Sequence, residues 1–411
     1  MERVVIVGNG ISGATAARIA RKRGFRGEVV MISDEAPVPY SRPALMYVFM
    51  GHLRAAETKL YEDGFWPTNG IVLRQGRVRG LDAPARTITL EDGARVAYDR
   101  LLLATGSTPR ALEVPGEHLA VRLWGLADVV RLERAVEGVR HAVVVGGGLT
   151  GVELCEMLRA RGLRVTFLVR EPRLMPHVLG EEESVRVEDE LRRHGVEVRL
   201  ATTVAEIEGR DHAEAVRTID GALIACELVA VAVGVRPNID GFEESGISLG
   251  GRGGISVDEH LRTALPDVWA AGDCAELPGG RIEQLWYTAR AQGAVAGCCL
   301  AGQPRAYAPG VPYNSAKFFS LEWQGYGVYA AGAGDRLRVR TARAEGQMLR
   351  LVTDETDRLV GMSSLGIRLR AELCRACIAQ GLPFEEVRAR LPEARFDEEF
   401  SPRLNLAAFF A

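Results

Sequence analysis

The stretch VVIVGNGISGATAARIARKRGFRGEVVMISD, residues Val4–Asp34, decides the fold. It opens with an apolar run that is typical of a strand buried on both faces of a parallel sheet. Gly8, Gly10 and Gly13 follow with G-x-G-x-x-G spacing: the first makes a tight turn, the second lets a pyrophosphate approach the backbone, and the third lets the helix close on the strand. Asp34 ends the second strand, where a carboxylate accepts hydrogen bonds from ribose hydroxyls. The stretch therefore predicts a dinucleotide-binding βαβ unit. A glycine-rich turn that binds nothing is disfavoured, because strand, helix and acid stand in register.

The same pattern returns in the middle of the chain. Residues 141–145 have the composition of a buried strand, and Gly146, Gly148 and Gly151 repeat the glycine spacing before a helix and a second strand. A doubly wound protein needs one such fingerprint for each dinucleotide, so two dinucleotides are predicted.

The second copy differs from the first at the end of its second strand. Val169 stands where the first copy has an acid, and Arg170 and Arg173 follow. Loss of the carboxylate and gain of arginine is the change expected for a 2′-phosphate, so the sequence favours NADPH over NADH. The alternative is that Arg170 faces solvent and that Glu171 binds the ribose.

Composition limits the remaining classes. A chain of 411 residues is too long for one ordinary core, so two or three domains are expected. The net charge of −3 gives no reason to expect a nucleic-acid partner. No apolar run is long enough to span a membrane and the N-terminus begins directly on a strand, which predicts a cytoplasmic protein without membrane association.

Seven cysteines occur, an odd number without a repeated framework, as expected of reduced thiols. The pair Cys374-x-x-Cys377 lacks a second pair of ligands for a metal site. It also lacks the strand-to-helix context of a thioredoxin-like redox motif. We therefore predict no metal centre.

Further small-residue turns follow buried runs. Ala104-Thr105-Gly106, Gly234 and Gly272-Asp273 each come after a strand-like segment, and glycine lets the chain pass close to a ligand. Asp273 could accept a hydrogen bond from a polyol hydroxyl or could simply be a helix N-cap. Prolines around Tyr40 and Arg42 predict an extended loop. Arg42 there either pairs with a pyrophosphate or is an ordinary surface arginine.

From about Pro312 the composition shifts to aromatic residues and short β-like runs, which predicts a third, α+β domain. The runs are Phe318–Leu321, Gly325–Tyr329, Arg336–Thr341, Gln347–Thr353 and Leu359–Ser363, and helices are predicted over Arg370–Gln380 and Phe384–Leu391. The predicted fold class is α/β, with two doubly wound, three-layer dinucleotide-binding domains and this C-terminal domain.

These motifs together resemble the FAD-dependent pyridine nucleotide-disulfide oxidoreductases. The resemblance rests on both glycine fingerprints, on Ala104-Thr105-Gly106, on Val233-Gly234-x-Arg236-Pro237-Asn238 and on Ala271-Gly272-Asp273. It implies an FAD-binding domain over 1–114 and 242–311, an NAD(P)H-binding domain over 115–241, and a C-terminal interface domain over 312–411. It also implies that Asp273 holds the ribityl chain of the flavin.

Tyr40-Ser41-Arg42-Pro43 looks like one branch of that superfamily. The branch contains rubredoxin and putidaredoxin reductases, dioxygenase ferredoxin reductases, apoptosis-inducing factor and the flavin part of nitrite reductases. The resemblance implies that Arg42 contacts FAD, that Glu153 touches the nicotinamide and that Trp286 lies near the isoalloxazine ring. Ferredoxin reductases of this branch usually carry a lysine where this chain has Tyr47, which puts the usual charge beside the flavin in doubt.

Glu153 and Trp286 are the candidate catalytic positions, as positioning residues. The candidate cofactor-binding residues are Gly8, Gly10, Ser12, Gly13, Asp34, Arg42, Pro43, Ala104, Thr105, Gly106, Gly146, Gly148, Gly151, Glu153, Arg170, Gly234, Gly272, Asp273 and Trp286.

Disulfide-reducing relatives carry cysteines after the FAD fingerprint, whereas no cysteine occurs here before Cys155. The resemblance therefore implies an enzyme without a redox-active disulfide, which passes a hydride from NAD(P)H to FAD and then electrons to a ferredoxin- or rubredoxin-like protein. Two alternatives stay open: an oxidase or diaphorase that reduces oxygen, a quinone or another small acceptor, and a slow redox sensor with a binding role. A homodimer is also left open. The Trp323, Phe318 and Phe319 cluster is expected to vary with the electron acceptor.

Overall fold

The computed structural model describes residues 1–329, 336–344 and 346–397 of the chain. The internal contacts separate two units. Unit 1 comprises Met1–Arg110, Trp124–Val130 and Gly234–Pro309, and unit 2 comprises Ala111–Leu123, Arg131–Val233 and Gly310–Ala411. The last residues of the predicted C-terminal domain, 398–411, lie outside the described residues.

In chain order the strands are β1 (Arg3–Val7), β2 (Glu28–Ser33), β3 (Ile71–Gln75), β4 (Val78–Asp82), β5 (Thr87–Leu90), β6 (Arg95–Ala97), β7 (Arg100–Leu103), β8 (Ser107–Pro109), β9 (His141–Val145), β10 (Arg164–Leu168), β11 (Val196–Arg199), β12 (Val204–Gly209), β13 (Ala213–Thr218), β14 (Leu223–Ala225), β15 (Leu228–Val231), β16 (Val235–Pro237), β17 (Ile255–Ser256), β18 (Val268–Ala270), β19 (Ala275–Glu276), β20 (Tyr313–Phe318), β21 (Leu321–Gly327), β22 (Arg338–Ala344), β23 (Gln347–Thr353) and β24 (Leu359–Leu365).

The α-helices are α1 (Ile11–Lys22), α2 (Leu45–Phe49), α3 (Phe65–Thr68), α4 (Leu126–Ala135), α5 (Leu149–Ala160), α6 (Glu181–Arg193), α7 (Trp286–Leu300), α8 (Ala371–Ala379) and α9 (Phe384–Arg390). Short 3₁₀ turns occupy Arg42–Ala44, Ala55–Thr58, Glu117–Leu119 and Leu391–Ala394. In the described ranges, no helix has both the length and the apolar character that crossing a membrane requires.

A five-stranded parallel sheet in the order β3-β2-β1-β7-β18 forms the centre of unit 1. Val4–Val7 and Leu101–Leu103 are buried, as expected of parallel strands covered on both faces. From β1 the chain first moves through α1 to β2, and only later to β7 on the other side of β1. This reversal places the carboxyl end of β1, and hence Gly8, at the switch point where open α/β sheets bind ligands.

Unit 2 repeats this arrangement in a four-stranded parallel sheet with the order β11-β10-β9-β15. β9 stands between β10 and β15, so Gly146 follows the strand at the second switch point. The duplicated pattern in the sequence therefore corresponds to two separate doubly wound sheets.

An antiparallel five-stranded sheet, in the order β20-β21-β24-β23-β22, forms the C-terminal part of unit 2. Its β21, β23 and β24 residues share a core with α8, α9 and the turn that follows α9. Together with the two parallel sheets, this confirms the predicted α/β class with an added α+β region.

Two local predictions were wrong. The proline-rich segment does not stay extended, because a 3₁₀ turn over Arg42–Ala44 leads directly into α2. Proline at the first helical positions is compatible with a helix start, since its missing N–H would have no partner there. The predicted strand over Phe318–Leu321 is instead the hairpin turn between β20 and β21, where Phe319 has a φ of 55°.

The aromatic cluster that was expected to vary with the electron acceptor is internal. Phe318 and Trp323 are fully buried and Phe319 is nearly so. The indole Nε1 of Trp323 donates to Glu183 on α6 at 3.3 Å, and the ring of Phe319 stacks on His194 at 4.5 Å. These side chains therefore pack the C-terminal sheet against the helix of the second parallel fold, and are not available on a surface for a protein acceptor.

Close packing of α1 on α7 fixes the helix that follows the first glycine turn. A Cβ at Gly293 would lie 2.3 Å from the Ser12 carbonyl oxygen, and one at Gly297 would lie 2.5 Å from that of Ala16. Only glycine at these positions lets the two backbones approach to this distance. The glycines of α7 thus hold the start of α1 in place.

We predict that Gly293→Ala lowers the thermal unfolding midpoint of the flavin-loaded protein by about 3 °C or more, because the added methyl group forces α1 and α7 apart. Gly80→Ala is the matched control, since a Cβ at Gly80 meets nothing within 4 Å. Equal midpoints for the two variants in a thermal scan would contradict the proposed role of the α1–α7 contact.

Candidate dinucleotide-binding sites

The three glycines of the first turn have different roles: packing requires two of them, and the third leaves space for a ligand. Gly8 has a φ of 105°, and a Cβ there would lie 2.1 Å from the Ala104 carbonyl oxygen. A Cβ at Gly13 would lie 2.0 Å from the Gly8 carbonyl oxygen. A Cβ at Gly10, by contrast, would meet nothing within 4 Å. Packing alone therefore requires Gly8 and Gly13, whereas Gly10 leaves space that a ligand can use.

The helix that starts at this turn presents an uncapped N-terminus. Gly10 is its N-cap residue, and neither a capping side chain nor an acidic residue occurs in the first turn. The Ser12 hydroxyl is buried and has no hydrogen-bond partner among the described residues. Free N–H groups, the positive end of the helix dipole and an orphaned hydroxyl suit a phosphate group. The residues present therefore fit the pyrophosphate of FAD.

The acid at the end of β2 is placed beside this turn by the sheet register, since Val7 pairs with Ile32. Asp34 is half-exposed and lies 3.5 Å from Arg77. Asn9 donates a hydrogen bond of 2.7 Å to the Ala36 carbonyl, which fixes the chain after the acid. A role for Asp34 in binding ribose stays a prediction.

Arg42 is held firmly, in surroundings that the sequence did not indicate. Its guanidinium pairs with Glu35 at 2.7 Å, donates to the Trp124 carbonyl and lies 4.6 Å from the centre of the Trp124 ring. Pro43 sets the following 3₁₀ turn. Burial raises the pKa of Asp273 and the positive charge of Arg42 opposes that rise, so Arg42 acts on the same region of unit 1.

The turn that carries Asp273 is built by two contacts distant in sequence. The Gly272 N–H donates to the buried Gln292 side chain at 2.8 Å, and the Ser107 hydroxyl donates to Asp273 Oδ2 at 2.7 Å. Burial raises the pKa of Asp273, and the Ser107 hydrogen bond acts in the opposite direction. Asp273 is therefore an oriented acceptor rather than a helix cap, as a polyol-binding role requires. Neither Ser107 nor Gln292 was a candidate from sequence, although both lie inside motifs that were recognised.

Two small-residue turns, Ala104–Gly106 and Gly234–Asn238, are joined to each other. β8 and β16 pair in antiparallel fashion, Thr105 Oγ1 donates to the Asn238 carbonyl at 2.6 Å, and the Asn238 N–H donates to the Gly106 carbonyl at 3.0 Å. Because the Ala104 carbonyl also abuts Gly8, this ribbon is continuous with the first glycine turn.

The second glycine turn reproduces the first almost atom for atom. A Cβ at Gly146 would lie 2.2 Å from the Ala232 carbonyl oxygen, and one at Gly151 would lie 2.0 Å from that of Gly146. A Cβ at Gly148 would again meet nothing within 4 Å, and α5 begins there without a side-chain cap. The geometry therefore offers a second phosphate position in unit 2.

The two arginines after β10 differ in how their side chains are held and exposed. Arg173 donates to the Leu179 carbonyl at 2.8 Å and to the Ser184 hydroxyl at 3.1 Å, so it stabilises its own loop. The side chain of Arg170 is 78% exposed and pairs with Glu171 at 2.9 Å. Of the two arginines, Arg170 alone is exposed enough to meet a 2′-phosphate.

Glu153 lies in unit 2 and Trp286 in unit 1. Glu153 is half-buried on α5, and burial together with the neighbouring Glu156 carboxylate raises its pKa to about 7. Trp286 is the first residue of α7, with its ring 5.6 Å from both the Tyr287 ring and the Arg290 guanidinium.

All seven cysteines are free and buried. Burial raises the pKa of Cys274, whose thiol donates to the Leu103 carbonyl. It also raises the pKa of Cys374 to about 12 and that of Cys377. These thiols lack the thiolate character that a redox or nucleophilic role requires. Within the described ranges, no group of His, Cys, Asp and Glu side chains could hold a metal ion.

Comparison with known proteins agrees with this geometry. Residues 2–293 match the family model described as pyridine nucleotide-disulphide oxidoreductase. The ferredoxin–NAD(+) reductase component of the p-cumate 2,3-dioxygenase system from Pseudomonas putida is 34% identical over 299 residues, which cover 71% of this chain and 72% of that protein. The ferredoxin reductase component of chlorobenzene dioxygenase from Cupriavidus sp. is 31% identical over 391 residues, covering 92% and 95%.

Among solved structures, the ferredoxin reductase for the CYP199A2 system from Rhodopseudomonas palustris has a TM-score of 0.82 at 28% identity. The alignment covers 89% of this chain and 91% of that chain.

We predict that Gly10→Ala and Gly148→Ala each impair a different one of the two sites. Each methyl group enters open space in the protein alone but occupies the place where a pyrophosphate approaches the backbone. Purified Gly10→Ala should retain about one tenth or less of the wild-type flavin, for a loss of about 1.4 kcal/mol or more. Gly148→Ala should retain its flavin but need at least about tenfold more NAD(P)H to reduce it.

The measurements are flavin absorbance per protein and the nucleotide dependence of flavin reduction. Normal flavin content in Gly10→Ala, or flavin loss confined to Gly148→Ala, would contradict the assignment of the two turns.

Proposed function

The chain belongs to the pyridine nucleotide-disulphide oxidoreductase family, and we propose that it is an FAD-dependent reductase that takes electrons from NAD(P)H and passes them to a ferredoxin- or rubredoxin-like protein. The observation that carries this proposal is the repeated turn, present once in each unit with an open second glycine. Two relatives that cover over two thirds of the chain are named as ferredoxin reductase components, and this supports the choice of acceptor.

The distribution of cysteines supports electron transfer without a protein disulfide, in spite of the family's name. The first cysteine, Cys155, comes after the whole first glycine turn and its neighbouring segments. Cys274, next to the oriented Asp273, is fully buried and donates to backbone carbonyls. Substrates that need a nucleophilic thiolate are therefore disfavoured.

FAD, when bound, supplies a hydride acceptor that can release electrons singly, which suits a one-electron acceptor protein. The chain's own residues would bind the two dinucleotides and orient their rings. The N-terminus of α1 and Ser12 would hold the pyrophosphate, Asp34 the ribose and Asp273 the ribityl hydroxyls. Arg42 would place a positive charge near the phosphates. We assign Glu153 to the nicotinamide amide and Trp286 to the flavin ring, as positioning residues.

The domain boundaries form part of the same proposal. An FAD domain over 1–114 and 242–311 is supported by unit 1, which contains the first parallel sheet and the Asp273 turn. Most of the nucleotide domain over 115–241, and the C-terminal domain over 312–411, lie in unit 2, whereas Trp124–Val130 and residues 234–241 belong to unit 1. A cytoplasmic location and a homodimer are proposals as well; the first rests on composition and the second on resemblance.

On the choice between NADPH and NADH, the residues and the relatives point in different directions. Val169 and the exposed Arg170 support NADPH, because a carboxylate is missing and a guanidinium is within reach of solvent. The relative from Pseudomonas putida is named for NAD(+), and this name counts against a preference for NADPH. A preference for NADPH thus rests on these two residues alone, and Arg170 must leave Glu171 to meet the phosphate.

Arg170→Ala tests this part of the proposal. If Arg170 binds the 2′-phosphate, the apparent KM for NADPH rises about tenfold while that for NADH is unchanged, because one charge-assisted hydrogen bond is lost. Arg192→Ala, which removes an exposed arginine on α6 of the same unit, serves as control. Equal changes for both nucleotides would contradict the phosphate contact.

The acceptor is tested by steady-state oxidation of NAD(P)H under air, with and without added ferredoxin or rubredoxin. We expect slow oxygen consumption alone and a large increase in rate with one of the proteins, because the proposed acceptor takes electrons one at a time from the reduced flavin. Fast oxygen or quinone reduction with no gain from either protein would establish the oxidase alternative. Slow turnover with every acceptor, together with a change of oligomeric state on reduction, would establish the sensor.

A further inference from the structure

Glu153 and two further charged side chains, which the proposed function does not use, form a short chain in unit 2. Glu153 and Glu156 stand one turn apart on α5, so they project from the same side of the helix. Lys317 on β20 reaches Glu156 Oε1 at 3.3 Å. The side chain of Glu156 is only 12% exposed, and its Oε2 is buried without a hydrogen-bond partner in the part of the chain that the structure describes.

The positive charge of this group belongs to Lys317, which lies in a different part of the sequence and is a rare residue type in this chain. Lysine occurs at only three positions, Lys22, Lys59 and Lys317, in a chain rich in arginine. Lys317 lies on the first strand of the C-terminal sheet, whereas Glu156 lies on the helix of the second glycine turn. The ammonium group is therefore the contact through which the C-terminal sheet supplies a charge to that helix.

The electrostatic surroundings of Glu153 make it responsive to these two neighbours. Burial and the Glu156 carboxylate raise the pKa of Glu153 to about 7. Besides β20, the strands packed most extensively against α5 are β9 and β10. Their ionisable residues, His141 and Arg164, occupy the first strand positions, at the sheet end opposite the Gly146 turn. Arg159, near the end of α5, donates to the His194 and Leu163 carbonyls. Among the charges on α5 and on these strands, we therefore take Glu156 and, beyond it, Lys317 as those that act on Glu153.

We infer that Lys317 and Glu156 are positioning residues that set the charge of Glu153, and with it the pH range in which the second site holds the oxidised nicotinamide. This inference deepens the proposed function and rests on its assignment of Glu153 to the nicotinamide. Oxidised nicotinamide carries a positive charge, so an ionised carboxylate attracts it, whereas a protonated carboxyl offers only a neutral hydrogen bond.

The sign of each change follows from Coulomb's law. A group with a raised pKa is protonated below that value and ionised above it, so the affinity for NAD⁺ or NADP⁺ should rise with pH through an inflection near neutrality. Removing the charge of Glu156 makes ionisation of Glu153 easier and moves the inflection to lower pH. Removing Lys317 leaves the two acids with an uncompensated negative charge, so the pair holds its proton to higher pH.

The experiment measures the affinity of the flavin-loaded protein for NAD⁺ and NADP⁺ by calorimetry between about pH 5.5 and about pH 8.5, which brackets the range in question. The variants are Glu153→Gln, Glu156→Gln, Lys317→Met and Lys317→Arg. Lys59→Met removes a surface lysine paired with Asp63 in unit 1, and is the matched control.

We expect the inflection to vanish in Glu153→Gln, to fall by about one pH unit in Glu156→Gln and to rise by a similar amount in Lys317→Met. Lys317→Arg keeps the positive charge and should keep the inflection at the wild-type pH. Lys59→Met should also leave the inflection unchanged. A purely structural bridge would lower affinity equally at every pH. An inflection that persists in Glu153→Gln, or that moves in the same direction in Glu156→Gln and Lys317→Met, would overturn the inference.

A failure of the proposed function would give a different result from a failure of this inference. Because calorimetry reads binding without flavin chemistry, opposite shifts in the two variants would support the inference even if NAD(P)H did not reduce the flavin. Normal reduction by NAD(P)H with an unmoved inflection would keep the proposed function and reject the inference.

Discussion

The structure depends on one backbone contact made twice. Where β1 ends, the chain passes so close to the strand exit at Ala104 that no side chain fits at Gly8, and the same holds for Gly146 beside Ala232. This approach turns the chain into α1 and α5, and in the described part of the chain neither helix start has a side-chain cap. Binding capacity at each site therefore follows from the turn itself, because a helix start that lacks a cap favours an anion.

Around these turns, the polar contacts have different purposes in the two units. In unit 1, Ser107 and Gln292 hold the Asp273 turn, and the paired β8 and β16 fix the neighbouring strand exits. In unit 2, the fully buried Glu183 accepts from Trp323, from Ser363 at 2.6 Å and from Arg350 at 2.9 Å. A buried carboxylate is costly unless it is paired and hydrogen-bonded in this way, and such a network favours one arrangement of helix and sheet.

Sequence reasoning succeeded where the signal was local. Both glycine turns, the buried strands and helices α8 and α9 could be predicted, because each needs only a few consecutive residues of defined type. It missed Ser107 and Gln292, since their contacts with the Asp273 turn depend on how separate segments meet in the sheet. It misread Phe318–Leu321, because aromatic residues usually favour strands, whereas here Phe319 takes a positive φ in a turn. The expectation that Trp323 varies with the acceptor could not take account of its contact with Glu183, because that residue lies on a helix distant in sequence.

The central claim is that the first turn binds a flavin and the second a nicotinamide nucleotide that reduces it. The most direct test is anaerobic stopped-flow mixing of the purified protein with NADPH and, in parallel, with NADH, followed at the flavin absorbance band. We expect a yellow protein whose flavin band is bleached at a rate that saturates with at least one nucleotide. A protein purified without flavin, or a bound flavin that stays oxidised with both nucleotides, would contradict it.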